Sequence, residues 1–178
     1  MFNNDNTQSP EEKFHKYVEP MFKKLLVGAY RLTKSHEDAE DLVQDTLFKA
    51  YKNMDKFDEN LNPGGWLYTI MRNTFLNNIK QNKSREFLLF DGNDSEKLAD
   101  KSQAPAQDRG IEDSLQLVLN TLPTPMQTIL IARETQQLSY EEIAKSFDIP
   151  LGTVKSRLKR ARNMLREKWN RQNKNVEI

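Results

Sequence analysis

One stretch of this sequence leaves little freedom in how it can fold. Residues 138–169 hold two amphipathic helical patterns separated by a hard stop. Ser139-Tyr140-Glu141-Glu142 has the form of a capping box. In that motif the serine hydroxyl accepts from the amide three residues on, and the glutamate side chain reaches back. The helix it opens gathers Tyr140, Ile143, Ala144 and Phe147 on one side. Asp148-Ile149-Pro150 ends it, because the residue before a proline avoids helical geometry. Pro150 also suits the start of the following helix. Two helices joined by three or four residues have the spacing of a helix-turn-helix.

The second of these helices has two unlike halves. Leu151, Val154, Leu158, Ala161, Leu165 and Trp169 share one side of the wheel, and Lys155, Ser156, Lys159, Arg160, Asn163 and Arg166 lie opposite. A basic face with hydrogen-bonding groups suits base edges in a major groove. Its lysines and arginines would neutralise phosphates and make binding salt-sensitive. The plainer alternative, a solvated basic helix, leaves the capping box, the turn and the one-sided charge without a joint explanation.

Elsewhere the apolar spacing is helical and strand-type alternation is absent. The chain is therefore expected to be all-α: two small helical domains joined by a flexible linker, the C-terminal one a helix-turn-helix. The boundaries read as a disordered leader over 1–9, a first domain over 10–86, a linker over 87–110 and a second domain over 111–172. The linker contains Gly92, Pro105 and Gly110, several Ser and Asp, and little periodicity. Only 37% of the residues are hydrophobic, and no apolar run approaches the roughly 20 residues of a membrane span. The polar, acidic start is unlike a signal peptide. With no cysteine there is no disulfide, which agrees with a cytoplasmic protein.

The formal net charge of +1 conceals a segregation. Acids dominate residues 36–60, whereas in 151–174 a single acid, Glu167, faces a run of lysines and arginines. Such asymmetry points to nucleic acid at one end and another kind of partner at the other. In the acidic stretch Ala39, Leu42, Val43, Thr46, Leu47, Ala50 and Tyr51 form an apolar stripe, with Asp41, Gln44, Asp45, Phe48 and Lys52 on the other side. Phe48 among carboxylates is either an anchor for a partner or covered by another helix of the same domain.

After the turn Asn62-Pro63-Gly64-Gly65 a helix should begin near Trp66. Leu67, Tyr68, Met71, Phe75 and Ile79 cluster on one side, while Trp66, Ile70, Asn73, Asn77 and Lys80 share another. A ring to stack on a base, amides for base edges and a lysine for phosphate suit single-stranded nucleic acid. Spacing alone favours the plainer reading, a core tryptophan and two surface asparagines.

Three runs together resemble the extracytoplasmic-function (ECF) group of bacterial sigma factors, within the sigma-70 family. They are Asp38-Ala39-Glu40-Asp41-Leu42-Val43-Gln44-Asp45-Thr46, Trp66-Leu67-Tyr68-Thr69-Ile70-Met71-Arg72-Asn73, and the helix-turn-helix from Leu138 to Leu158. The resemblance implies an RNA polymerase sigma factor directing promoter recognition and transcription initiation, in response to a stress or envelope signal. It implies that Asp41, Leu42, Gln44, Asp45 and Phe48 meet the β′ clamp helices of core RNA polymerase, whose β subunit is also a partner. Trp66, Asn73, Asn77 and Lys80, with the loop at 57–65, would open and read the promoter −10 element. Lys155, Ser156, Arg157, Lys159 and Arg160 would contact the −35 element. The linker would thread toward the active-site cleft, and an anti-sigma factor is an expected partner. The resemblance tilts the two asparagines toward the −10 element and does less for Trp66.

Two rivals are weaker. A stand-alone repressor would use the same helix-turn-helix but generally dimerises, and no heptad or dimer helix is evident. For an enzyme, Asp38, Asp41 and Asp45 have a spacing that a metal could use. No nucleophile with a base and no glycine-rich phosphate loop accompanies them, so no catalytic residue, metal or cofactor is expected.

Overall fold

The computed structural model describes residues 8–89 and 111–174. All of the longer elements there are α-helices: α1 (Pro10–Tyr17), α2 (Phe22–Thr33), α3 (His36–Lys52), α4 (Pro63–Leu89), α5 (Ile111–Asn120), α6 (Thr124–Glu134), α7 (Tyr140–Phe147) and α8 (Leu151–Lys174). Short 3₁₀ turns follow α1 and α3. Nearly all of the expected leader and linker lie outside the described residues. Where they can be compared, α4 runs to Leu89, three residues into the expected linker.

Local chemistry sets most helix ends. Ser9 and Glu12 form a capping box that opens α1, with Pro10 in the first turn. α2 stops at Lys34, whose left-handed backbone (φ 68°) closes it, and the Ser35 side chain accepts from Asp38 to start α3. The predicted capping box of α7 is present: the Ser139 amide donates to Glu142 at 2.6 Å, and the Glu142 amide donates to Ser139 Oγ at 3.1 Å. Left-handed Asp148 (φ 51°) ends α7, leaving a three-residue turn before α8.

α4 begins at Pro63, three residues earlier than expected. Proline fits a first helical position because its missing N–H would be unpaired there. The Asn62 side chain accepts from the Gly64 amide at 3.0 Å, so the presumed turn is the helix start itself. A Cβ on Gly65 would sit 3.4 Å from Leu138, so this helix start lies directly against the C-terminal half.

The two halves share one continuous apolar core, a packing that linker composition does not reveal. Tyr68 of α4 is 0% exposed. Its ring stacks on Phe147 of α7, and its hydroxyl donates to the Thr128 carbonyl of α6 at 2.7 Å. Arg72 lies over the Phe147 ring at 4.2 Å. On the other flank, Gln116 and Gln127 each donate to the Arg31 carbonyl at 3.2 Å, and Gln136 donates to the Lys24 carbonyl at 2.9 Å. The Arg31 carbonyl belongs to the last turn of α2, where helices leave acceptors unpaired. Gly28 permits this approach, since a Cβ there would come within 2.8 Å of Gln136 Nε2.

Candidate nucleic-acid interface

α8 divides as its sequence predicts at the centre of the helix. Val154, Leu158 and Ala161 are buried, and Leu151, Leu165 and Trp169 are half-buried beside them. Lys155, Ser156, Lys159, Arg160, Asn163 and Arg166 are exposed on the far side. Lys155, Lys159 and Arg160 have no ion-pair partner among the described residues, so their charge is available to a phosphate backbone. Ser156 bonds back to the Thr153 carbonyl within the helix at 3.0 Å. Arg157 departs from the others: it is half-buried and lies near Arg72 of α4. Arg162 belongs to the packing, since it bonds Glu134 at 2.8 Å and the Tyr140 hydroxyl at 3.4 Å. Those two partners raise its pKa further above the ordinary arginine value.

α4 is more enclosed. Asn73, Asn77 and Lys80 are exposed together, and Arg72 donates to the Asn73 side-chain oxygen at 3.3 Å. Trp66 does not join them on an open face. It is half-buried with its ring 4.8 Å from Phe57, and Ile70 is half-buried as well. The wheel grouped these residues correctly by angle, but the first turn of α4 packs against the loop that precedes it.

That loop has its own organisation. Asp58 Oδ1 accepts from both the amide and the side chain of Asn60 at 2.9 Å, and these two bonds hold its carboxyl below the usual range. Glu59 accepts from the Tyr17 hydroxyl at 2.6 Å and pairs with Lys13 at 2.9 Å, which keeps it ionised below its ordinary value. Asn62 lies beside Glu142 of α7. Burial raises the Glu142 carboxyl, but hydrogen bonds from the Ser139 amide, Asn62 and the Ser139 hydroxyl bring it below the usual range.

On α3, Asp41, Gln44 and Asp45 are exposed. Phe48 is 59% exposed, with Lys52 Nζ 4.1 Å above its ring. Among the described residues no neighbouring helix covers it, so the reading in which another helix of the domain buries it does not apply. Leu42 is a correction: it is 2% exposed, packed in the stripe with Ala39, Val43 and Thr46, and cannot touch a partner directly. Its place three residues after Ala39 and four before Thr46 puts it on the inner face. Tyr51, expected inside, is 50% exposed and meets Phe14 of α1 edge-on.

Sequence reasoning missed α1 as part of this region. Phe14 and Tyr17, one helical turn apart, are its only signal. Among the described residues no group of three or more His, Asp or Glu could hold a metal ion, and no helix is long and apolar enough to cross a membrane.

The sequence family described as Sigma-70 region 2 matches residues 21–85, and that described as Sigma-70, region 4 matches 112–165. The chain is 30% identical to the ECF RNA polymerase sigma factor SigW of Bacillus subtilis, over 88% of this chain and 89% of that one. It is 36% identical to the ECF RNA polymerase sigma factor EcfG of Rhodopseudomonas palustris, over 79% and 76% respectively. The structure resembles the sigma factor RpoE solved in complex with the anti-sigma factor NepR from Bartonella quintana. That match has a TM-score of 0.71 and 35% identity, covering 86% of this chain and 94% of that one. With both sigma-70 regions present in order and helices as the longer elements among the described residues, this protein belongs to the ECF group of sigma-70 family RNA polymerase sigma factors.

Proposed function

We propose a division of labour among three surfaces of this sigma factor. Lys155, Ser156, Lys159 and Arg160 of α8 contact the −35 element, with Arg157 joining them once it is freed from α4. Asn73, Asn77 and Lys80 of α4, with the loop at 57–65, read and hold the −10 element, and Trp66 supports that loop from behind. Asp41, Gln44, Asp45 and Phe48 of α3 meet the β′ clamp helices, and Leu42 shapes that face from inside. The basic face of α8 carries this reading most directly, since it suits a polyanion and, among the described residues, no ion pair neutralises Lys155, Lys159 or Arg160.

The two DNA-facing helices lie close together here, with α4 against α7. The −10 and −35 elements are centred about 25 base pairs apart, roughly 80 Å along B-form DNA. One closed chain therefore cannot hold both, and core polymerase parts the two halves as it binds. Residues 10–86 then act as the polymerase and −10 unit and 111–172 as the −35 unit, with 87–110 spanning between them. The protein works in the cytoplasm, does no covalent chemistry of its own and needs no cofactor. Its activity answers a stress or envelope signal through an anti-sigma partner, a reading supported by the similar RpoE having been solved with NepR.

The test is run-off transcription with core polymerase across a library of promoters. Specific transcripts that neither component gives alone are expected, and their absence sinks the reading. Tight, specific duplex binding by the free protein would favour a repressor instead.

A further inference from the structure

We infer that α1, which lies before the matched region 2, is a positioning element that presets the loop at 57–65 for the −10 element. The inference rests on the reading above that this loop contacts the −10 element.

Left to itself, the loop has few restraints. Within it are the Leu61 amide bond to the Asp58 carbonyl and the turn that Asp58 makes with Asn60. The Asn62 side chain adds a bond from the Gly64 amide at the start of α4, and the hold on Glu59 comes from α1. Glu59, at the loop's apex, accepts from the Tyr17 hydroxyl at 2.6 Å and pairs with Lys13 at 2.9 Å. Beneath them an aromatic row runs from Tyr17 to Phe57 at 5.2 Å, and from Phe57 to Trp66 at 4.8 Å. Phe57 is 4% exposed, so the row ties α1 to the first turn of α4 through the core. Aromatic pairs at such distances contribute beyond the area they bury.

The arrangement also solves an electrostatic problem. Asp55, Asp58 and Glu59 place three carboxylates in or beside a loop that must approach phosphates. Like charges held close together repel. α1 supplies an ammonium and a phenol to Glu59, satisfying that carboxylate within the protein and fixing where it points. Asp58 is satisfied by Asn60 in the same way. The loop also touches α7, through Asn62 beside Glu142, but that contact disappears when the halves part. The grip of α1 lies wholly within the N-terminal half and persists in the polymerase-bound state.

The test uses holoenzyme assembled from the full chain and core polymerase, on promoters that differ only in the −10 or only in the −35 element. Tyr17→Phe removes one hydroxyl and keeps the ring. It should lower discrimination between matched and mismatched −10 elements about fivefold, the worth of one ordinary solvent-exposed hydrogen bond. Discrimination at −35, core binding and the melting temperature should stay as in the parent. Lys13→Glu should act in the same direction, and Lys13→Glu with Glu59→Lys should restore part of the loss. Unchanged −10 discrimination in Tyr17→Phe and in Tyr17→Leu overturns the inference, as does an equal loss at both elements. Asn60→Ala serves as the reference for the loop itself. If it too leaves −10 discrimination untouched, the reading of the loop fails, and the role of α1 with it. If it acts and the Tyr17 variants do not, only the role of α1 fails.

Discussion

α4 and α8 are the two helices assigned to DNA, and the chain surrounds them differently. α8 packs along one side, against α5, α6 and α7, and leaves a full half of its surface to solvent. α4 is enclosed by α2, α3, α6 and α7, and even its flank is engaged, with Lys49 of α3 donating to Thr74 at 2.9 Å. The exposed face of α8 is cationic, whereas among the described side chains of α4 the exposed strip is chiefly amides, Asn73 and Asn77, with Lys80 beside them. Charge supplies affinity without sequence preference, and amides supply preference with little affinity. On the reading proposed above, grip falls mainly to the C-terminal half and −10 discrimination to the N-terminal half.

That contrast can be broken in several places. The largest effect is expected on the enclosed side of α4. Tyr68→Ala removes a fully buried ring and should destabilise the fold by roughly 3–5 kcal/mol in chemical denaturation, whereas Lys159→Ala on α8 should cost less than about 0.5 kcal/mol. Equal losses would mean that α4 is no more structural than α8. Next comes Lys155→Ala with Arg160→Ala, which should reduce promoter use on the order of 10²-fold in run-off assays, most severely at high salt, while sparing core binding. Asp45→Ala with Phe48→Ala should do the reverse and weaken core polymerase about tenfold in a competition assay, as the loss of an exposed aromatic anchor predicts. If both pairs lowered core binding alike, the separation of surfaces would be wrong. Asn73→Ala should cost about fivefold, confined to promoters with a matched −10 element, and without changing the salt slope.

The smallest effect concerns the helix that meets the −10 loop. Glu142 has a folded-state pKa below its ordinary value. Its contribution is therefore fully present above the normal carboxylate range and is lost as pH falls through the folded value. Glu142→Gln should lower stability modestly at neutral pH, leave it nearly unchanged in acid, and so flatten the acid limb of the stability profile.

The sequence disclosed whatever is settled within a few residues. The Ser139 capping box, the stop at Asp148-Ile149-Pro150 and the basic face of α8 are all local, and each lies where periodicity and capping chemistry predict. Phe48 was legible as an oddity, although only the packed structure showed it uncovered. Leu42 and Trp66 were harder. Leu42 lay in the apolar stripe on the wheel and entered the polymerase set only through the resemblance, whereas Trp66 was grouped with Asn73 and Asn77 by the wheel, which cannot show what packs on it. Leu42 meets the core of its own domain, and Trp66 meets Phe57. The docking of the two halves was not legible, because its hydrogen bonds join residues 60 to 113 positions apart. Nor was the hold of α1 on Glu59, which spans 42 positions.

Those separations also order events in time. Helices and near-neighbour contacts form early, and pairings across long sequence gaps form late. The N-terminal half can close on itself, including the Tyr17–Glu59 bond, while residues 111–174 are still being synthesised. Until they arrive, Tyr68 lacks Phe147 and Thr128, and Gly28 lacks Gln136 and Ile131, to cover them. The surface that later joins the halves is thus the newborn chain's main aggregation hazard. Docking is its last folding step and, on the reading proposed above, the first contact to be undone at the polymerase.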